Sequence, residues 1–365
     1  MKIICCSHTS WIGGAELAFV ELLKSLNQRG NVSVTVPKMD GPLVTKLNDV
    51  GIEHISAHSW PLWMMQDTFT LKRRIKCIFR ICKAVKDCLI YMKLERPDMV
   101  LINTISSPIP LIVCKLLHIP SVVYIHENGG FGVYQFLLGE KYTFRLLGKL
   151  ASKLVCNSEY TYSVYSQYIP PKKLSVIYQP INITPAPRKE HGGFVVGSVG
   201  VTSPQKNFQL LIEALRTIPN AQLKIVGFNN NEYGAYLREY AVRLGMGDRV
   251  EWLGMTDNMS DFYSTIDLLV ACGKHEALGR SVVEAMKCRV PIIAMRDGGY
   301  VELVGENMRG WLFNKEDVDD LRTKIIQSMT NDWLNTITSA EQYANNVFSA
   351  ETFDKAIEKV ILNDY

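Results

Sequence analysis

Short apolar runs, each followed by a helical pattern, recur along the chain. Residues 2–6, 32–36, 52–56, 99–103, 121–126, 154–157 and 174–178 are short, rich in β-branched or aliphatic residues and bounded by turn formers, which predicts strands. Between them apolar residues return at helical spacing, as Leu17, Ala18, Val20, Leu22 and Leu23 do after Ala15. Unbroken apolar runs predict strands buried on both faces of a parallel sheet, and the alternation with helices predicts a sheet wound on both sides. The stretch 179–193, with three prolines and two glycines, interrupts this pattern and predicts a linker. The pattern restarts with strands at 194–199, 223–226, 250–253, 268–271, 291–294 and 311–313, and helices over 208–216, around 333–347 and over 350–362. The expected organisation is α/β. A first Rossmann-like domain covers 1–180, a linker 181–193 and a second such domain 194–347. A closing segment, 348–365, packs back on the first.

In open parallel sheets ligands bind beyond the carboxyl ends of strands, so the residues there are the candidates for chemistry. After strand 268–271 comes Cys272-Gly273-Lys274-His275-Glu276-Ala277-Leu278-Gly279-Arg280, then a helix that carries Glu284. A glycine-containing turn into a helix N-terminus offers free N–H groups to an anion. Glu276 and Glu284 can each accept two hydrogen bonds from hydroxyls. An anion end joined to a polyol end suits a nucleotide sugar. Taken alone, Glu284 is equally a dipole partner of its own helix.

Other sheet-edge loops follow the same logic. Gly13 and Gly14 lie at the first strand-to-helix turn, where they suit close approach to a ligand or simply a tight turn. His126-Glu127-Asn128-Gly129-Gly130 and Asn157-Ser158-Glu159 end two further strands. Gly200-Val201-Thr202-Ser203-Pro204-Gln205-Lys206 opens the second half and places Lys206 where a phosphate could sit, or where a solvated lysine would. Gly227 and Gly254 end two strands, and Arg296-Asp297-Gly298-Gly299-Tyr300-Val301-Glu302 forms another glycine loop. A Gly-x-Gly-x-x-Gly fingerprint is missing, which argues against a dinucleotide oxidoreductase.

Composition narrows the class. With 47% hydrophobic and 21% charged residues the 365-residue chain is that of an ordinary globular protein with sizeable cores. Nine cysteines, an odd number without a Cys-x-x-Cys pair, predict reduced thiols in a cytosolic protein. Cys272 and His275 have ligand-like spacing without a second pair, so no metal site is expected. The first residues hold too short an apolar run for a signal peptide, and no run is long enough to span a membrane.

Net charge is only +4, but residues 72–96 hold nine Lys/Arg against two Asp/Glu. Leu71, Ile75, Ile78, Cys82, Val85, Leu89 and Met92 recur there at helical spacing, with Lys72, Lys76, Arg80 and Lys83 on a neighbouring face and Trp60, Leu62, Trp63, Met64 and Met65 before them. Two readings fit: a cationic amphipathic helix for an anionic membrane surface, or a surface helix whose stripe faces the core. Nucleic acid is disfavoured, since no recognition motif accompanies the charge.

Assembled in order, these loops resemble family 4 glycosyltransferases of the GT-B fold. The resemblance runs over Gly13-Gly14-Ala15-Glu16, His126-Glu127, Asn157-Ser158-Glu159, Gly200 to Lys206, Glu276 to Glu284 with Gly279, and Gly298-Gly299 with Glu302. It implies two Rossmann-like domains facing across a cleft and retaining transfer from a nucleotide diphosphate sugar without a metal or other cofactor. Lys206, Gly14 and Leu278, Gly279 and Arg280 would hold the diphosphate and Glu284 the ribose. The base would rest by Gly227, Leu253 and Met255. Glu276 would contact the transferred sugar and His126 the sugar and acceptor, with Gly13, Glu127 and Asn157 on the acceptor side. Where the family has an arginine after the first glycine of the second domain, this chain has Val201; Arg280 is the expected substitute. Asn207 also replaces a common glycine.

The expected partners are a nucleotide sugar, a glycan or lipid-linked acceptor in surface-polysaccharide synthesis, and an anionic membrane surface through residues 60–96. The expected location is the cytoplasm, peripheral on the inner membrane face. Two other functions share the architecture: a nucleotide-sugar epimerase, and a non-catalytic nucleotide-sugar-binding subunit, to which Val201 points.

Overall fold

A computed structural model describes residues 1–65, 69–129 and 134–362. Gly130, part of the glycine pair after His126, lies outside them. The chain divides into two compact units, residues 1–180 with 350–365, and residues 181–349.

In the first unit the order is β1 (Lys2–Cys6), α1 (Gly14–Asn27), β2 (Asn31–Val36), α2 (Pro42–Asp49), β3 (His54–Ala57), β4 (Met64–Met65), α3 (Leu71–Glu95), β5 (Met99–Asn103), α4 (Ile109–Leu117), β6 (Ser121–Ile125), β7 (Gln135–Phe136), α5 (Glu140–Leu150), β8 (Lys153–Cys156), α6 (Glu159–Ser166) and β9 (Leu174–Val176). The sheet runs β3-β2-β1-β5-β6-β8-β9, every described pair parallel. Strands β5 and β6 are buried throughout, which is why they read as unbroken apolar runs. One face packs Phe19, Leu22, Leu23 and Leu26 of α1; the other packs α3 to α6. Strands β4 and β7 form a two-residue antiparallel pair that no periodicity in so short a run announces.

Helix α3 divides its apolar stripe between solvent and core. Its buried positions are Ala84, Cys88 and Met92, with Cys77 and Ile81 partly buried against the same core. Of the stripe, Leu71, Ile75, Ile78 and Cys82 are exposed, as is Phe79 beside them, whereas Val85 and Leu89 are partly buried and Met92 buried against the core. The stripe thus faces outward in the first turns and the core in the last, because the inward seam is offset from it. Thr70 caps the helix by accepting from Arg73 N–H at 3.3 Å, and Arg96 ends it in the left-handed region.

In the second unit the order is β10 (Phe194–Val199), α7 (Phe208–Leu215), β11 (Ala221–Val226), α8 (Glu232–Arg243), β12 (Val250–Gly254), α9 (Met259–Ser264), β13 (Leu268–Ala271), α10 (Arg280–Lys287), β14 (Ile292–Met295), α11 (Tyr300–Val304), β15 (Trp311–Phe313), α12 (Val318–Ser328) and α13 (Leu334–Val347). Its sheet order, β12-β11-β10-β13-β14-β15, is again parallel and doubly wound. The Pro-rich segment before β10 lies along this unit: Lys189 N–H donates to Ser264 O at 3.0 Å, and Arg188 pairs with Asp267. The last α-helix, α14 (Ala350–Ile357), continued by a π-helical turn over Glu358–Leu362, belongs to the first unit, where Phe353 and Ile357 join the core of α1 and Ser25 Oγ bonds Asp354 Oδ1 at 2.5 Å.

Strand order reverses between β1 and β5 in one sheet and between β10 and β13 in the other. By the carboxyl-end rule, each reversal marks a place for a ligand.

Candidate functional site

At the reversal in the second unit, Lys206 follows β10 and Glu276 follows β13. Lys206 Nζ lies 2.7 Å from Glu276 Oε2, and both side chains are about a quarter exposed. A backbone bond, Lys274 N–H to Gln205 O at 2.7 Å, ties the two loops together. The stem of Lys206 lies across Gly200, where φ is +150° and a Cβ would come within 2.8 Å of Lys206 Cε. Tyr300 Oη donates to Glu276 Oε2 at 3.4 Å. Its phenol is pushed well above the ordinary value by burial and by the Glu276 charge.

The loop carrying Glu276 is set from beneath. Asp297 accepts His275 N–H at 2.8 Å and lies 3.1 Å from Lys315 Nζ, which holds His275 in the left-handed region at φ +51°. Gly299 N–H donates to Glu276 O at 2.8 Å. Gly298, at φ +62°, packs where a Cβ would come within 2.4 Å of Glu276 O.

Gly279 is the N-cap of α10 at φ +99°, with Tyr300 against it. Val282 N–H donates back to Gly279 O at 2.9 Å, whereas helix geometry gives the N–H groups of Arg280 and Ser281 no intrahelical acceptor, and Leu278 before them is buried. Glu284, 8% exposed, accepts from Arg280 Nε at 2.8 Å and from Tyr263 Oη at 3.1 Å. Arg280, the expected substitute for the missing arginine, thus has its Nε committed to Glu284, while Val201 is exposed. Gly227 N–H donates to Gly254 O at 2.8 Å and Gly200 N–H to Val226 O at 2.8 Å, so the ends of β10, β11 and β12 sit edge to edge. Leu253 and Met255 flank that edge, both exposed.

In the first unit the reversal gathers His8 after β1, Glu16 on α1, Asn103 and Thr104 at the end of β5, and His126 and Glu127 after β6. His126 Nε2 lies 2.9 Å from Asn103 Oδ1. Asn103 Nδ2 donates to Ala15 O at 3.4 Å, leaving Oδ1 as acceptor and the proton of His126 on Nε2. Glu127 Oε2 accepts His126 N–H at 3.2 Å. Burial holds His126 down to about 3, with His8 adding to it, and pushes Glu127 up to about 7, with Glu16 adding. Burial also sets His8 at about 4 and Glu16 at about 7.

Gly13 N–H donates to Glu16 Oε2 at 3.1 Å, whereas no protein atom lies within 4 Å of a Cβ built at Gly14. Asn157 is brought to the same edge but turned inward: it is 4% exposed and its Oδ1 accepts from Thr161 Oγ1 at 2.9 Å. Among the described residues no group of three or more His, Cys, Asp or Glu could hold a metal ion.

Sequence reasoning missed His8, Thr104, Tyr263 and Asp297. Asp297 stood in a loop already singled out, as did His8, in the run into Gly13 and Gly14. His8 and Thr104 are 96 residues apart and Tyr263 and Glu284 are 21 apart, so nothing local marks their contact.

The profile described as Glycosyl transferases group 1 matches residues 181–348, and that of Glycosyltransferase Family 4 matches 12–184. The chain belongs to the family 4, group 1 glycosyltransferases. It is an enzyme of the glycosyl-transferring class with two Rossmann-like units of the GT-B fold. The uncharacterized glycosyltransferase MJ1178 of Methanocaldococcus jannaschii is 27% identical over 67% of this chain and 68% of its own length. The lipopolysaccharide core biosynthesis glycosyltransferase LpsE of Rhizobium meliloti is 28% identical over 39% of this chain and 41% of its own. The crystal structure of Anabaena HepE in complex with UDP and glucose superposes with a TM-score of 0.80 over 99% of each chain at 23% identity, a likeness of fold.

Proposed function

We propose that this glycosyltransferase moves a sugar from a nucleotide diphosphate donor to a glycan or lipid-linked acceptor with retention of configuration, in surface-polysaccharide synthesis. The observation behind the donor half is the Lys206–Glu276 pair at the strand reversal, with Glu284 eight residues further on. Lys206 and the first turn of α10 supply positive potential for a diphosphate and stabilise it as a leaving group. Glu276 and Glu284 accept hydroxyl hydrogens from the sugar and the ribose. The base rests on the edge formed by Gly227, Leu253 and Met255. In the first unit His126, Glu127, Gly13 and Asn157 belong to the acceptor side. Side-chain and backbone charge serve in place of a metal.

The surface reading rests on α3. Leu71, Ile75 and Phe79 are exposed beside Lys72, Lys76 and Arg80. That face suits the headgroup region of an anionic bilayer on the cytoplasmic side. Among the described residues no helix is long and apolar enough to cross a membrane.

A second reading, a nucleotide-sugar-binding subunit without turnover, is favoured by Val201, exposed where the family has an arginine, and by Arg280, whose Nε is bonded to Glu284. Release of nucleoside diphosphate from UDP-, GDP- and ADP-sugars separates the two. Release that Lys206→Ala abolishes supports transfer; binding without release in any mixture supports the subunit.

A further inference from the structure

His8 lies outside every motif of the chain, yet three elements converge on it. Thr104 is 1% exposed and sits in the left-handed region at φ +73°, a costly conformation for a β-branched residue. Its backbone is pinned by Thr104 N–H to Tyr124 O at 2.9 Å. Thr104 Oγ1 donates to Ser106 Oγ at 2.9 Å and accepts from Ser106 N–H at 3.3 Å. Its hydrogen being spent, it can only accept from His8 Nδ1, 3.3 Å away. Glu16 Oε1, buried and without a hydrogen-bond partner in a side chain 7% exposed, lies 3.7 Å from the same nitrogen. Thr104 therefore requires the proton of His8 to sit on Nδ1, and Glu16, whenever ionised, favours it there as well. The Nε2 atom is left with its lone pair, on a ring one quarter exposed.

We propose that His8, locked in this tautomer by Thr104 and Glu16, orients the attacking hydroxyl of the acceptor by accepting its hydrogen at Nε2. This rests on the glycosyl-transfer reading and adds to it a residue that fixes the acceptor. Glu16 and Thr104 are positioning residues. The step is a hydrogen bond only, without proton transfer to the imidazole. The titratable groups around the ring are Glu16 from α1, His126 and, through Glu16, Glu127.

The test compares sugar transfer to a panel of p-nitrophenyl monosaccharides with donor hydrolysis by water, in wild type, His8→Phe and His8→Gln. Loss of an orienting contact commonly costs about 10² in rate. Transfer should fall about that far in His8→Phe, well beyond any fall in hydrolysis, and recover in part in His8→Gln, whose carbonyl can replace Nε2. Unchanged transfer, or transfer and hydrolysis falling together, overturns the proposal. If the wild type neither transfers nor hydrolyses, the transferase reading fails on its own. Long-range proton–nitrogen spectra of histidine-labelled protein, with His8 assigned by the variant, then decide: Nδ1–H supports the proposal and Nε2–H overturns it.

Discussion

Lys206 Nζ and Glu276 Oε2 stand 2.7 Å apart at the point where the strand order of the second sheet reverses. With about a quarter of each side chain in solvent, the pair contributes at most about 1 kcal/mol to folding. Its value lies in placing a cation and a carboxylate together. In the proposed function a bound diphosphate competes with Glu276 for Lys206, so that reading requires the ion pair to open or be shared when donor binds. Lys206→Ala should leave the melting temperature nearly unchanged while turnover drops by about 10²–10³. A large loss of stability with activity intact would reverse these roles.

Glu284 is held differently. Removing it leaves Arg280 Nε without its acceptor, while Tyr263 Oη keeps Ser281 O at 3.0 Å, and Arg280 Nη1 is already buried without a partner. Glu284→Ala should therefore cost about 1–3 kcal/mol and confuse any ligand-binding comparison. Glu284→Gln keeps an acceptor for one of the two. Thermal melts of both variants without ligand check this: Ala should melt clearly lower than Gln.

Two glycines make opposite predictions. A Cβ at Gly14 meets no protein atom, so Gly14→Ala should melt at or above wild type, and any loss of turnover is then a loss of ligand approach. Gly227 has φ +135° and a Cβ there would lie 2.1 Å from Gly200 O. Gly227→Ala should lose more than about 2 kcal/mol. Urea titrations with a nucleotide-release assay separate the two effects.

The half-buried cluster of the first unit predicts a pH signature. Glu16 and Glu127, raised from 4.5 to about 7, contribute stability below pH 4.5 that is lost as pH rises towards 7. His8 and His126, lowered from 6.5 to about 4 and about 3, contribute stability above pH 6.5 that is lost as pH falls towards those values. Between pH 4.5 and 6.5 the slopes oppose and cancel: folding moves protons from the imidazoles to the carboxyls without changing their number. Glu16→Gln should then make stability rise with pH by about 1.4 kcal/mol per unit, and His8→Phe should make it fall as steeply. Urea titrations at pH 5 and 6 that ran parallel for all three proteins would contradict the cluster.

For α3, cosedimentation with vesicles rich in phosphatidylserine should exceed that with phosphatidylcholine alone. It should weaken at high salt and be lost in the double variant Lys76→Glu, Arg80→Glu. Equal binding to both vesicles would remove the anionic-surface reading.

What the sequence showed and what it hid follow from range. Buried parallel strands such as β5 and β6 announce themselves as unbroken apolar runs, and the glycine turns after them mark the carboxyl edge. The sheet edges, and hence the neighbourhoods of Lys206, Glu276 and His126, were legible for that reason. The inward face of α3 was not, because its first turns carry Leu71, Ile75, Ile78 and Phe79 around more than one face. Contacts such as His8 with Thr104 and Tyr263 with Glu284 join distant segments and leave no periodic trace.

The most direct test of the central claim is nucleotide release, measured by supplying UDP-glucose, GDP-mannose and ADP-glucose in turn and assaying nucleoside diphosphate and the anomer of the transferred sugar. The expected result is release from one nucleotide class with retained configuration, abolished by Lys206→Ala. Release that is insensitive to Lys206, or a product with inverted configuration, would contradict the site and mechanism set out above.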